Sequence, residues 1–226
     1  SSGSATNGVA IRCTAKTADY IIFCAGSSIS TQNPIASWDK SNWKNYDGSG
    51  SGTGPYSGGL QLAEEPIYVS TIYDNHLVIG TGTGKVSSYN FTTSTWNAYN
   101  KEGVGLWNDG TAIGNCYISS MLTYDNKLVI AGDNGRVASY NGTAWTAYNA
   151  GSGLCNSGTA LWSGYWIYAI VVYGEYLVVS GDYGLVASCN YDGVSDYDWI
   201  SCDGDGDGTG PYHDGTTINI NNDEDP

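Results

Sequence analysis

The sequence predicts an all-β fold, and three observations support this class: the composition favours strands and turns, short apolar segments alternate with turn signals, and the chain repeats itself. Of the 226 residues, 32 are Gly, 19 are Tyr and 8 are Trp, whereas only 13% are charged. Tyr, Trp, Val and Ile suit the pleated, half-buried surface of a sheet, and Gly, Asn and Asp form tight turns. The composition therefore predicts short strands joined by tight turns.

The internal repeat is the strongest of these signals, because a period of roughly 20 to 50 residues defines a repeat architecture. An apolar triplet recurs with its first members 55, 51 and 49 residues apart, at 22–24, 77–79, 128–130 and 177–179. A second similar string follows each triplet, at 35–38, 86–89, 137–140 and 186–189. A Trp three residues before a Tyr or Cys then closes each copy. Four copies in register predict four equivalent structural units.

One copy reads as a four-stranded antiparallel sheet. In the third copy, the pattern predicts strands over 117–123, 128–131, 136–140 and 145–148, separated by turn sequences at 124–127, 133–135 and 141–142. A Gly-rich loop leads to the next copy. Radial repetition of such sheets covers their exposed edges, which is the architecture of a β-propeller. We therefore expect a four-bladed β-propeller with four-stranded antiparallel blades.

The repeat also sets the expected domain boundaries. We expect residues 1–8 to be a flexible N-terminal segment and residues 9–220 to form one propeller domain with repeats at 9–58, 59–109, 110–157 and 158–214. Residues 215–218 match 110–113 and 158–161, so we expect 215–220 to close the ring against the first blade. Residues 221–226 are an acidic tail. The alternative architectures are a β-sandwich or jelly roll and, less favoured, an open solenoid.

Particular strings in the repeat carry a family resemblance. The sequence IASWD at 35–39, the pair NW at 42–43 and LVIAGD at 128–133 resemble the LYxGG…IAxWDGxxW repeats of bacterial extracellular kelch-like propellers. The first copy has an additional loop at 27–34, which this family often carries between its second and third strands. The resemblance implies a surface or secreted module that mostly binds or builds.

Charge and hydropathy narrow the range of partners. The formal net charge of −14 opposes binding to nucleic-acid phosphate or anionic lipid and favours a cation. No apolar run approaches the 18 or more residues of a membrane span, the longest being 166–173. We therefore expect no nucleic acid and no membrane insertion, and the expected partners are a glycan or protein at a surface, or further copies of the chain.

Cysteines and sequons both indicate export. None of the six cysteines lies in a CxxC pair of the kind that binds zinc, so disulfides are expected. Asn90 and Asn141 begin NxT sequons, and both chemistries belong to secreted or surface-attached proteins. Fifteen pairings are possible in principle. The favoured pairs are Cys13 with Cys24, Cys116 with Cys155, and Cys189 with Cys202.

The sharpest local motif is an acidic loop with the spacing of an EF-hand calcium site. Positions 1, 3, 5, 7 and 12 of such a loop supply oxygen ligands, and a Gly at position 6 allows the sharp turn. Pro211 occupies the ninth position, where similar loops of integrin-type propellers usually have Asp. The alternative interpretation is an acidic solvated linker. The candidate calcium ligands are Asp203, Asp205, Asp207, Thr209 and Asp214.

The first copy contains an internal control for this loop. Residues 47–56 have the same frame as 203–212, but serines replace two of the acids. The loop shape therefore does not depend on metal, and we expect a structural calcium ion specific to the fourth copy.

No catalytic constellation stands out. His76 and His213 have no nucleophile motif nearby, and both are interpreted as solvent-facing. The expected function is therefore a non-enzymatic extracellular structural or adhesive module, such as a subunit of a surface fibre or appendage. One alternative is a carbohydrate-binding lectin, and a less favoured one is a glycan-processing enzyme, since carboxylate separation is a property of the fold. The aromatic residues that could stack on sugars are Tyr56, Trp107, Trp162 and Tyr212.

Overall fold

The chain is all-β. The computed structural model describes residues 10–26, 35–41, 43–45, 66–97, 106–150, 154–155, 161, 164–182, 185–190 and 198–202. These residues form β-strands in four antiparallel sheets, with two short 3₁₀ turns and no α-helix among them. Within these ranges, no helix has the length and apolar character needed to cross a membrane. The fold class expected from the composition and repeat is confirmed.

The first two sheets follow the first two copies of the repeat. Strand order in space follows chain order, so each sheet is an up-and-down meander. The first sheet consists of β1 (Ile11–Lys16), β2 (Ile21–Ala25), β3 (Ile35–Trp38) and β4 (Trp43–Asn45). The second consists of β5 (Ile67–Tyr73), β6 (His76–Thr81), β7 (Lys85–Asn90) and β8 (Thr95–Asn97), with β9 (Asn108–Asp109) also paired to β7.

The last two sheets repeat the same topology. The third consists of β10 (Ile118–Tyr124), β11 (Lys127–Gly132), β12 (Val137–Tyr140) and β13 (Trp145–Thr146). The fourth consists of β14 (Ile167–Tyr173), β15 (Tyr176–Gly181), β16 (Val186–Asn190) and β17 (Asp198–Cys202). The four copies seen in the sequence thus correspond to four sheets.

Turn chemistry fixes the first hairpin of the second and third sheets. Asp74 and Asn75 have φ of 42° and 58°, and Asp125 and Asn126 have 46° and 56°. Two consecutive positive φ angles define the two-residue hairpin turn whose twist matches that of the flanking strands, and Asp and Asn tolerate this conformation better than most residues. The short polar side chains at these positions therefore set the register of both hairpins.

The third sheet also shows where the sequence pattern was inexact. Its last strand covers only Trp145–Thr146, whereas the pattern predicted 145–148. The chain leaves the sheet because the Tyr148 amide donates to the Ala112 carbonyl at 3.0 Å, outside the strand ladder. A short 3₁₀ turn over Tyr148–Ala150 follows. A contact distant in sequence thus overrides the local strand preference.

The hydrophobic core lies between neighbouring sheets. One buried cluster joins the first sheet to the second, another joins the second to the third, and a third joins the third to the fourth. Successive side chains of a strand point to opposite faces, so the apolar triplets supply both sides of a sheet. In β11, for example, Leu128 packs toward the second sheet while Val129 packs toward the fourth. This is why the triplets are continuously apolar.

Tyrosine hydroxyls bridge two of these junctions. Tyr73, at the end of β5, donates to the Asn126 carbonyl in the first hairpin turn of the next sheet at 2.9 Å. Tyr124, at the end of β10, donates in the same way to the Glu175 carbonyl at 2.6 Å. Both tyrosines are only 7% exposed. These inter-sheet tyrosine bonds place consecutive sheets in the same relative position.

Candidate functional site

A row of aromatic side chains lies where the first strands of the last three sheets begin. The rings of Tyr68 and Tyr117 have centroids 4.0 Å apart, and those of Tyr117 and Trp166 are 5.5 Å apart. Tyr68 belongs to β5, whereas Tyr117 and Trp166 immediately precede β10 and β14. Because β5, β10 and β14 pack side by side, aromatic residues near their starts come into contact. We call these residues, with Arg12 and Tyr168, the aromatic row.

Polar groups hold both ends of the aromatic row. At one end, the Arg12 guanidinium lies 5.2 Å from the centroid of the Tyr68 ring, within the range of a cation–π interaction. At the other, the Tyr168 hydroxyl donates to Asp182 Oδ1 at 2.5 Å, and the Trp166 amide donates to Asp182 Oδ2 at 2.8 Å. The hydrogen bond to Asp182 raises the pKa of Tyr168. Asp182 therefore orients the exposed end of the row.

The exposure of its rings determines whether the aromatic row can contact a ligand. Trp166 and Tyr168 are 39% and 56% exposed, so their rings are open to a ligand. Tyr117 is more enclosed, and burial, followed by a hydrogen bond with Tyr68, raises its pKa. Aromatic faces of this kind stack on flat, weakly polar groups, and the carboxylate and guanidinium at the two ends supply hydrogen-bonding capacity. The row has the chemistry of a shallow stacking site.

Sequence reasoning missed the aromatic row and selected other aromatic residues. Of its four candidates, Trp107 is half-buried next to β9, while Tyr56, Trp162 and Tyr212 lie outside the described residues. A usable signal was present, because Tyr117 and Trp166 each stand one residue before the first Ile of a strand. The signal was obscured in the second copy. There Pro66 stands before the first Ile of the strand, Ile67, and the aromatic residue of the row is Tyr68, one residue after that Ile.

The first expected cysteine pair is close together. Cys13 and Cys24 lie directly opposite each other on β1 and β2, and both are free thiols in this structure. A hydrogen bond between them lowers the pKa of Cys13 and, together with burial, raises the pKa of Cys24. Opposed positions on adjacent strands suit the short Cβ separation of a disulfide. This pairing stays a prediction.

The structure does not bring together the second expected pair. Cys116 and Cys155 are free thiols in different core clusters. The Cys116 thiol donates to the Ile113 carbonyl at 3.1 Å, and the Cys155 thiol donates to the Thr146 carbonyl at 3.0 Å. Burial, followed by a hydrogen bond with Asp133, raises the pKa of Cys116 to about 12. In this structure both thiols pack as small buried residues.

Strand register argues against the third expected pair. β16 and β17 place Trp199 opposite Cys189, and Cys202 lies opposite Val186. Three positions along a strand correspond to roughly 10 Å, beyond the Cα separation of about 7 Å that a disulfide allows. The pairing of Cys189 with Cys202 would therefore need another register of β17 on β16, and it stays a prediction. The sequence could not give the register because the connection between these strands, residues 191–197, is longer than the equivalent turns of the second and third copies.

Both sequon asparagines lie at the third turn of their sheets, in equivalent positions. Asn90 ends β7 and its side-chain amide contacts His76 Nε2 at 2.9 Å, while Asn141 follows β12 and is exposed. The Asn141 side-chain oxygen accepts from the Thr143 and Ala144 amides at 3.0 and 2.9 Å. Neither asparagine is buried, and use of the sequons stays a prediction.

The remaining candidates divide between described and undescribed parts of the chain. His76 is half-buried, and its Nδ1 contacts the Asp74 carbonyl at 2.6 Å, so it is engaged in its own hairpin and is not simply solvent-facing. Within the ranges that the structure describes, no three His, Cys, Asp or Glu side chains cluster as a metal site. The calcium candidates Asp203, Asp205, Asp207, Thr209 and Asp214, together with His213 and residues 215–220, lie outside those ranges.

Comparisons with known proteins give no family. No protein-family model matches the sequence, and no curated protein matches it. Among solved structures, a computationally designed protein named Ika4 is similar, with a TM-score of 0.48 and 14% sequence identity. The similarity covers 81% of this chain and 92% of Ika4. Function must therefore be argued from the site itself.

Proposed function

We propose that the chain is a non-enzymatic extracellular module with a structural or adhesive role, whose four sheets are the blades of a β-propeller. The observation that supports this most is the reuse of one inter-sheet contact at successive junctions. The hydroxyls of Tyr73 and Tyr124 bind the same carbonyl position of the following sheet. Repeated contacts of this kind build a rigid scaffold from equivalent units. Such a scaffold suits a subunit of a surface fibre or appendage.

The reactive groups described above support a scaffold more than an enzyme. The Cys116 thiol is held protonated by burial, and His76 is bound to its own hairpin. Asp182 accepts two hydrogen bonds from the chain itself. A nucleophile or general base needs a group free to meet its substrate. These side chains instead stabilise the fold.

Export belongs to the same proposal. The six cysteines, the two sequons and the resemblance to extracellular repeat proteins favour a secreted or surface-attached location. The opposed positions of Cys13 and Cys24 on neighbouring strands are compatible with a disulfide formed in an oxidising compartment.

A turnover assay tests the non-enzymatic part of the proposal. The purified chain is incubated with a panel of oligosaccharides and polysaccharides, and mass spectrometry follows the products. We expect every glycan to keep its mass. Shortened or modified products that disappear in an Asp182→Asn variant would identify the glycan-processing alternative instead.

The aromatic row favours glycan binding as a second candidate function. Trp166 and Tyr168 present exposed rings beside Asp182, an arrangement suited to the apolar face and hydroxyls of a sugar. A glycan array followed by calorimetry would detect such binding. Trp166→Ala should weaken it at least tenfold, whereas Trp43→Ala, which removes a similarly exposed Trp from the first sheet, should leave it unchanged. Equal losses in both variants would exclude the row as the site.

A further inference from the structure

The series of four sheets ends in two exposed apolar faces. In the fourth sheet, Leu177 and Val179 pack toward the third sheet, so the alternating residue Val178 and its cross-strand partner Val171 point the other way. In the first sheet, Ile22 and Cys24 pack toward the second, so Phe23 points outward. We call these surfaces the fourth-sheet end face and the first-sheet end face.

The fourth-sheet end face is built like the surfaces that are buried at the inner junctions. Val78 and Val129, which are equivalent to Val178, are completely buried against the following sheet, whereas Val178 is half-buried and Val171 is 55% exposed. The contrast is sharper for tyrosine. Tyr73 and Tyr124 are buried and bonded to the next sheet, whereas Tyr173, at the same position, is 70% exposed.

The first-sheet end face is also apolar and aromatic. Phe23 and Trp43 have ring centroids 5.2 Å apart, and Trp38 and Trp43 stack at 6.2 Å. Trp43 is 46% exposed. Exposed apolar and aromatic side chains at both ends of one series indicate a protein interface, because burying them is favourable and leaving them exposed promotes association.

Two further features make the two end faces complementary. The Tyr20 carbonyl in the β1–β2 loop is the counterpart of the Asn126 and Glu175 carbonyls. Within the chain it accepts from the Thr17 amide at 2.9 Å and from the Thr17 hydroxyl at 3.5 Å, and the second bond is long enough to be replaced by a shorter one. Lys16 ends β1 beside this loop and is exposed, and Glu175 lies two residues after Tyr173. An exposed lysine beside one face suits an acidic neighbour beside the other.

We propose that a second copy of this chain docks its first-sheet end face on the fourth-sheet end face, so that the junction between the copies repeats the junctions between sheets within the chain. Tyr173 would then donate to the Tyr20 carbonyl of the neighbouring copy. The two faces differ, so the contact is head-to-tail, and such contacts continue until they close a ring or form a filament. This inference rests on the proposed propeller blades, but it places the last junction of the ring between copies and not within one chain, and it specifies how the subunits would join.

Complementation between blocked variants tests the proposal. Val171→Glu blocks the fourth-sheet end face, and Trp43→Glu blocks the first-sheet end face. Ala144→Glu adds the same charge at an exposed turn of the third sheet, away from both faces, and serves as the control. Sedimentation and light scattering of the full chain from about 1 to 200 µM give the mass, and thermal unfolding shows that each variant is folded.

We expect wild type and Ala144→Glu to form multimers, and each blocked variant alone to associate at least tenfold more weakly. An equimolar mixture of Val171→Glu and Trp43→Glu should give a one-to-one dimer and nothing larger, because each variant keeps the face that the other lacks.

If wild type stays monomeric and Val171→Glu merely lowers its melting temperature, the two faces meet within one chain and the proposal is wrong. A control variant that dissociates equally, or a mixture that stays monomeric, would also overturn it. None of these results depends on the turnover assay.

Discussion

At the scale of single residues, the inter-sheet tyrosine bonds give the structure its sharpest test. Tyr124→Phe removes only the hydroxyl that donates to the Glu175 carbonyl across the junction. We expect the free energy of unfolding to fall by about 1 kcal/mol, the usual net value of one such bond. Urea unfolding at low protein concentration measures it. Tyr173→Phe is the matched control and should change stability by less than about 0.3 kcal/mol, within the usual range of surface substitutions. Equal effects would contradict the assigned role of Tyr124.

The buried thiol of Cys116 predicts how stability responds to alkaline pH in the reduced protein. Its pKa rises from 9.0 to about 12 on folding, so above pH 9 the unfolded chain binds fewer protons than the folded one. Stability contributed by this thiol is therefore complete below pH 9 and is lost as pH rises toward 12, with a slope of at most about 1.4 kcal/mol per pH unit.

Urea unfolding of wild type and Cys116→Ala between pH 8 and 11 isolates this contribution from that of the tyrosines. The alanine variant should be less stable at pH 8 but should lose stability less steeply as the pH rises. Parallel curves for the two proteins would show that Cys116 does not titrate, as expected if it were in a disulfide.

At the scale of elements, the second and third copies differ at the last residue of their second strand. In the third copy this residue is Gly132, and the backbone just before the first strand lies very close to it. A Cβ at Gly132 would lie 1.8 Å from the Tyr117 carbonyl oxygen, a backbone atom that cannot rotate away. Its counterpart in the second sheet is Thr81, which tolerates a side chain. Gly132→Ala should therefore cost more than about 3 kcal/mol, and Thr81→Ala less than about 1.5 kcal/mol. Similar losses at both positions, measured by chemical unfolding, would contradict the close approach.

The acidic loop at 203–214 predicts a calcium effect specific to the fourth copy. At a calcium concentration a hundred times the dissociation constant, binding should stabilise the chain by about 2.7 kcal/mol. Chelation should lower the melting temperature, and the double change Asp205→Ser with Asp207→Ser, which copies the first repeat, should remove the dependence on calcium. A mutant that keeps the full calcium response would rule out these ligands.

Sequence patterns anticipated the elements well because strand periodicity and turn chemistry are local. The Asp-Asn turns and the apolar triplets lie where the repeat placed them, and the triplets of the second and third sheets are continuously apolar because each faces two neighbouring sheets. The aromatic row and the register of β16 on β17 were not predicted. The row joins residues about fifty positions apart, and its local signal, an aromatic residue just before a strand, is interrupted by Pro66 in the second copy. The register joins residues about ten positions apart, and no local pattern encodes it.

At the scale of the whole molecule, the repeat determines the series of sheets but not how the series ends. Three junctions bury equivalent residues, and the fourth would have to join β14 to β1. In this structure, Tyr173 and Trp43 stay exposed on the two end faces. Closure within one chain and docking between copies would bury the same kind of surface, so the local sequence does not distinguish them.

A crystal structure of the purified chain tests the central claim most directly, namely that the copies are successive sheets joined through their first strands. The account predicts four separate four-stranded meanders, with the Tyr73 hydroxyl on the Asn126 carbonyl and the Tyr124 hydroxyl on the Glu175 carbonyl. Two larger sheets packed face to face, with strands from different copies hydrogen-bonded to each other and either tyrosine in solvent, would contradict it.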